Sequence, residues 1–170
     1  MLETVFLIDG FEVVKYKPTA LKPFYIDMER TTILRRIRFI IDLYYGYSVY
    51  YLRHDGIFLG YCTITSGKNP RFWFAGDEDI IIGPYYVDDS QRGRKYAVKL
   101  VDTVIHHCET NWRKGYVSIK NSNTASIRVT EHLGGKLIFH VHNTKLKRLV
   151  RDESGEYGIY EITPERGRDA

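Results

Sequence analysis

A chain of 170 residues, 44% hydrophobic and 27% charged, holds enough apolar material for one domain with a core, which excludes a largely disordered protein. Its formal charge of +4 suits an anionic ligand without demanding nucleic acid. No apolar run reaches membrane-spanning length, the first residues carry Glu3, Asp9 and Glu12 in place of a basic leader, and Cys62 and Cys108 fit no CxxC or zinc spacing. Two buried free thiols and a cytoplasmic location are expected.

Residues 4–16 read as two short strands around the Asp9-Gly10 turn signal, and Pro18 and Pro23 punctuate the loop that follows. From 27 to 45 the apolar residues Ile33, Leu34, Ile37, Ile40, Ile41 and Tyr44 recur at three and four, predicting a helix with arginines on its other face and Gly46 as its stop. Residues 47–53 and 57–66 flank His54-Asp55-Gly56 as a hairpin rich in aromatic and β-branched residues. Residues 71–74 read as a further short strand, 75–78 as a turn and 79–87 as a strand disrupted by Gly83-Pro84.

Residues 91–108 predict a helix with the stripe Ala97, Leu100, Val101, Val104 and Ile105. A strand at 116–120, a helix at 125–133 stopped by Gly134-Gly135, and a terminal hairpin of 136–141 with 157–162 complete the chain. The predicted order is β-β-α-β-β-β-β-α-β-α-β-β, a mixed α/β fold in a single domain over 1–170, with 163–170 as a frayed tail.

The chemistry concentrates where the strand ending at Val87 turns into the next helix, in Val87-Asp88-Asp89-Ser90-Gln91-Arg92-Gly93-Arg94-Lys95-Tyr96-Ala97. Free N–H groups at a helix N-terminus attract anions, a glycine admits close approach, and Arg92, Arg94 and Lys95 add positive charge. A phosphate or pyrophosphate site is the physical expectation, with ordinary solubilising residues on a helix start as the alternative. The glycines and Lys-Ser/Thr pair of a Walker A loop are absent, as are the three glycines of a dinucleotide fingerprint.

This segment resembles the signature of the GNAT (N-acetyltransferase) superfamily, which runs from a strand-ending Val to Arg-Gly-x-Gly-x-Gly/Ala. Val87, Arg92, Gly93 and Ala97 match without a gap, while Lys95 replaces the middle glycine; its N–H still donates where its backbone is helical. Downstream, the run from Asn123 through Ser126 to Leu133-Gly134-Gly135 resembles the later motif of the family. Read without the family, Asn123 is a helix N-cap and Ser126 a first-turn residue.

The resemblance covers about 79–141 and implies a central mixed, mostly antiparallel sheet, splayed at the cofactor site and flanked by helices. It implies acetyl-CoA as acyl donor and no metal, with Tyr86, Val87, Arg92, Gly93, Arg94, Lys95, Tyr96, Ala97, Asn123 and Ser126 along the cofactor. An amine would attack the thioester directly, with a backbone N–H near Tyr86 or Val87 facing the oxyanion. The two usual catalytic positions of the family fall on Thr130 and Ile81. Thr130, Glu78, Asp79, Tyr85 and Tyr86 therefore stand as the candidates.

His106 and His107 close the second helix, and His140 and His142 share a strand face without an evident third metal ligand. The fourteen tyrosines and eight phenylalanines read first as strand residues and second as an acceptor pocket that stacks on a sugar or holds an amine by cation–π contact. The expected acceptor is a small amine, an amino sugar or amino-acid-like compound, ahead of a protein N-terminus. A non-catalytic acyl-CoA-binding or regulatory domain is the alternative. A nucleic-acid-binding module ranks behind it, because the basic residues form no single stripe. Homodimerisation through exposed strands is compatible with the sequence.

Overall fold

The computed structural model describes residues 2–26, 28, 33–109, 111–144 and 148–164, without the side chains of 33–37 and 108. The chain forms two compact units, Met1–Ser66 with Ile82–Thr110 and Gly67–Ile81 with Asn111–Ala170.

The first unit opens with β1 (Leu2–Ile8) and β2 (Phe11–Tyr16), paired antiparallel. Asp9 and Gly10 between them adopt φ of 49° and 79°, the left-handed pair that lets a two-residue turn follow the strand twist. After α1 (Ile33–Tyr45) come β3 (Tyr47–His54) and β4 (Ile57–Ser66), whose turn repeats the device at Asp55 and Gly56 with φ of 48° and 78°. The strand order is β1-β2-β3-β4, then the 82–87 part of β5 (Ile80–Val87). A 3-10 turn (Asp89–Gln91), α2 (Tyr96–Thr103) and a π-helical turn (Val104–Cys108) follow.

Tyrosine rings fill much of this interior. Tyr16, Phe24, Phe39, Tyr47, Val49, Tyr51 and Tyr61 form one buried cluster. Two of the hydroxyls carry loop backbone: Tyr16 Oη donates to Lys22 O at 2.8 Å, and Tyr51 Oη accepts from Tyr25 N at 3.0 Å. The clustered rings are core residues, as the strand reading expected.

The expected apolar stripe of α1 needs correction. Ile40, Ile41 and Tyr44 are exposed, whereas Phe39 and Asp42 are buried. Phe39 packs edge-on to Phe24 at 4.9 Å and against Tyr47 at 5.3 Å. Aromatic packing, not the count of aliphatic residues, sets the helix rotation. The stripe of the second helix holds, with Leu100, Val101, Val104 and Ile105 buried. Residues 27 and 29–32, the predicted start of α1, lie outside the described residues, as do 165–170 of the tail and the Cys108 side chain; Cys62 is a buried free thiol.

In the second unit the first two residues of β5 pair in parallel with β6 (Gly115–Lys120), Ile80 opposite Gly115 and Ile81 opposite Tyr116. Beyond β6 the order is β9 (Tyr157–Ile162), β7 (Lys136–Asn143), β8 (Leu149–Arg151), all antiparallel. Helix α3 (Thr124–His132) connects β6 to β7 and stops at Gly134, φ 79°. The expected pairing of the last two long strands is present, and the three-residue β8 between them is an addition.

The strand expected at 71–74 is a turn. Asn69 organises it, its Oδ1 accepting from Arg71 N at 3.0 Å and its carbonyl from Phe72 N at 2.9 Å. The rings still reach the interior: Phe72 joins Ile81, Tyr116, Val141, Leu149 and Ile159 in a second core cluster. Trp73 Nε1 donates to Leu149 O at 2.9 Å.

Candidate functional site

Strand β5 runs continuously through Gly83-Pro84, where a disruption was expected. Gly83 has a φ of 100° and precedes a cis peptide to Pro84, and Thr63 Oγ1 donates to the Pro84 carbonyl at 3.2 Å. The strand end is held against β4 by Asp88 N donating to Leu59 O at 2.9 Å. A Cβ built on Gly60 would stand 2.4 Å from the Tyr86 carbonyl oxygen and 3.1 Å from Val87 Cγ2. Only glycine permits this approach of β4 to the strand end that feeds the turn. The sequence reading missed Gly60; an isolated glycine inside a strand pattern was the available signal.

From Val87 the chain closes a short 3-10 turn. The Asp88 carboxylate caps it, Oδ1 accepting from Ser90 N at 3.0 Å and from Ser90 Oγ at 2.5 Å. Those two hydrogen bonds hold the Asp88 carboxyl below the usual carboxylate range. The helix expected from Gln91 begins only at Tyr96. Gly93 and Lys95 intervene, at φ of 78° and 61°, and left-handed residues cannot continue a right-handed helix. Lys95 therefore departs from the helical conformation expected of it. It is the N-cap residue, with no capping hydrogen bond from its side chain.

The first intrahelical bond is Lys99 N to Lys95 O at 3.0 Å, so the N–H groups of Tyr96, Ala97 and Val98 precede the ladder. An added Cβ on Gly93 would meet nothing within 4 Å; the backbone here faces open space. Gly93, Arg94 and Lys95 are exposed, while Tyr96 and Ala97 are half-buried. The first turn of α2 is braced from beneath: Phe11 lies 5.3 Å from the Tyr96 ring, and Lys99 Nζ pairs with Asp9 Oδ2 at 2.7 Å.

Arg92 is engaged within the turn. Its Nη2 lies 2.5 Å from Asp89 Oδ1, which also accepts from Tyr86 Oη at 3.1 Å. The guanidinium stands 5.8 Å from the centre of the Tyr86 ring. Burial raises the Tyr86 pKa, and the hydrogen bond and charge of Asp89 raise it further against the pull of Arg92. Asp89 is the second residue the sequence reading passed over, because only the positive charges of the segment were weighed.

The other candidates are placed as follows. Tyr85 is half-buried and Glu78 exposed. Asp79 is buried, its Oδ2 accepting from Gly76 N at 2.7 Å and its Oδ1 lying 3.7 Å from Arg113 Nε. Thr130 is buried inside α3, and its carbonyl accepts from Gly135 N at 2.9 Å. Asn123 caps α3, its Oδ1 accepting from Ser126 N at 3.2 Å.

Of the histidines, His106 Nδ1 lies 3.1 Å from Asp102 Oδ1, and the His107 ring stacks on Phe6 at 4.4 Å. His142 Nδ1 lies 3.2 Å from Asp152 Oδ2. Among the described residues no three His, Cys, Asp or Glu side chains are grouped to hold a metal ion. No described helix is long and apolar enough to cross a membrane.

A sequence model of the acetyltransferase (GNAT) domain matches residues 3–136. Among solved structures, a GNAT family acetyltransferase from Elizabethkingia anophelis with acetyl-CoA bound is 11% identical over 92% of this chain and 99% of that one, at a TM-score of 0.65. An N-acetyltransferase from Staphylococcus aureus Mu50 is 23% identical over 83% and 82%, at 0.55. The ribosomal-protein-S18-alanine N-acetyltransferase from Escherichia coli is 15% identical over 79% and 81%, at 0.56. At these identities the likeness is one of fold. No curated protein sequence matches the chain.

Proposed function

The chain belongs to the acetyltransferase (GNAT) family, and on that premise we propose that it transfers an acetyl group from acetyl-CoA to a primary amine. The observation that carries this reading is the turn between β5 and α2, where an added Cβ on the exposed Gly93 would meet nothing within 4 Å and an eight-residue helix begins three residues later. Amides there suit a pyrophosphate, with Arg92, Arg94 and Lys95 supplying charge and Val87, Tyr96 and Ala97 fixing the backbone around it. Asn123 and Ser126 are assigned to the same cofactor by motif position. The acetyl-CoA-bound structure of the Elizabethkingia relative supports the choice of donor.

In this reaction the amine nitrogen forms a bond to the thioester carbonyl carbon, the C–S bond breaks with the electron pair leaving on sulfur, and the nitrogen's proton passes to a base or to water. The N–H near Tyr86 or Val87 is the proposed oxyanion donor. Tyr86 is the preferred proton donor to the departing thiolate, since its phenol is neutral at pH 7 and stands at the strand end that feeds the turn. Tyr85, Glu78, Asp79 and Thr130 rank behind it, Asp79 and Thr130 because they are buried.

The acceptor is proposed as a small amine, an amino sugar or amino-acid-like compound, or a protein N-terminus; the E. coli relative named for ribosomal-protein-S18 alanine supports the last. The buried thiol of Cys62 supports a reducing compartment such as the cytoplasm.

Calorimetric titration with acetyl-CoA and with CoA tests the reading. Micromolar binding is expected, lost when Gly93→Trp fills the open space. No binding up to millimolar ligand refutes it. A second reading, an acyl-CoA-binding domain without transfer, rests on Thr130 and Ile81 standing at the two positions where the family resemblance implies catalytic groups, both of them buried. Acetyl transfer to any of a panel of amines excludes it.

A further inference from the structure

We propose that Asp89 is a built-in competitor for Arg92, which the cofactor must displace, and that it thereby sets how tightly this protein holds CoA. The inference rests on the acetyl-CoA reading above. Arg92 has a defined partner: its Nη2 lies 2.5 Å from Asp89 Oδ1, and Tyr86 Oη donates to the same oxygen at 3.1 Å. The Tyr86 ring underlies the guanidinium at 5.8 Å. Three side chains thus close a ring over the start of the turn.

The Asp89 side chain is not the cap of the turn. The capping carboxylate is Asp88, which takes both the N–H and the hydroxyl of Ser90. The Asp89 carboxylate faces Arg92 and Tyr86 instead. Arg92 meets Asp89 through Nη2, and a pyrophosphate reaching the N–H groups of α2 gains the full guanidinium fork only when that contact is given up.

The size of the effect follows from exposure. The Asp89 and Arg92 side chains are 73% and 63% exposed, and pairs this open are worth little. Asp89 therefore weakens CoA binding by about two- to fivefold rather than blocking it. The consequence is looser retention of CoA as product, at little expense to folding.

The test is a double-mutant cycle read by calorimetric titration with CoA up to millimolar concentration, on wild type, Asp89→Asn, Arg92→Gln and the double variant. Asp89→Asn is expected to tighten CoA binding by about two- to fivefold, and the same change is expected to gain nothing in the Arg92→Gln background. Equal affinity of wild type and Asp89→Asn overturns the inference. So does an equal gain in both backgrounds, which reports a general charge effect and no competition for Arg92. If wild type itself does not bind CoA, the acetyl-CoA reading fails and takes this inference with it, whereas binding by wild type with an uncoupled cycle refutes the competition alone.

Discussion

Lys95→Gly is expected to stabilise this protein, against the usual direction for a glycine introduced at a helix start. Lys95 lies at φ 61°, ψ 17°, where a Cβ clashes with its own backbone at roughly 1–2 kcal/mol. Glycine removes that strain but adds unfolded-state freedom of about 0.5–1 kcal/mol. The lysine side chain makes no capping hydrogen bond and is exposed, so little contact is lost. The balance is a gain of about 0.5–1 kcal/mol, or roughly 1–4 °C in Tm for a chain of this size. Urea unfolding read by circular dichroism measures it, with an unchanged m-value as the sign that the surface exposed on unfolding is the same in both proteins. Lys95→Ala is the control: it deletes the charge and keeps the Cβ, and is expected within about 0.5 kcal/mol of wild type. If the glycine and alanine variants unfold together, or the glycine variant unfolds first, the strain assigned to Lys95 is absent.

Gly60→Ala places a methyl 2.4 Å from the Tyr86 carbonyl oxygen and 3.2 Å from Val87 Cα; a loss of about 1–3 kcal/mol in chemical unfolding is expected, together with weaker CoA binding as the strand end shifts. At alkaline pH, burial first and then the charges of Glu161 and Asp79 raise the Tyr116 pKa from 10.0 to about 12. The stability tied to its neutral phenol is complete below pH 10 and is lost as the pH rises through about 12; Tyr116→Phe is expected to flatten that alkaline decline in unfolding midpoints. At acid pH, Asp88 acts in the opposite sense. Its pKa is lowered by the Ser90 hydrogen bonds, so its contribution is complete above the unfolded value of about 3.9 and is lost as the pH falls through the folded one. Ser90→Ala removes one of the two donors and is expected to reduce the acid dependence, measured as unfolding midpoint against pH.

The hairpins were legible because Asp-Gly writes its backbone requirement into the sequence: Asp9-Gly10 and Asp55-Gly56 adopt the positive φ pairs those residues favour. The stripe from Leu100 to Ile105 was legible because both neighbouring turns agree with it. The face of α1 was not, since Phe39 and Ile40 are adjacent and either can lead a helical stripe; only the rings of Phe24 and Tyr47 decide between them. Residues 71–74 carried the composition of a strand, but the Asn69 side chain offered the backbone a local alternative. The start of α2 was misplaced because no residue type announces a left-handed lysine.

The charge of the candidate site was half legible for the same reason. Arg92, Arg94 and Lys95 mark the proposed anion-binding turn by type, whereas the roles of the two preceding carboxylates depend on where each one points. Asp88 turns inward along the chain and is consumed by Ser90, closing the turn. Asp89, one residue later, turns toward Arg92 and Tyr86. Adjacent residues of one type thus divide into a structural cap and a counter-ion, a division that net charge conceals. With three cationic side chains against two carboxylates between 88 and 97, the turn is barely positive. The proposed pyrophosphate site then rests on the N–H groups of Tyr96, Ala97 and Val98 and on the exposed backbone at Gly93, which no charge substitution removes. That ordering separates the variants by kind: those at Gly93 act on the existence of the site, and those at Asp89 and Arg92 act on its strength.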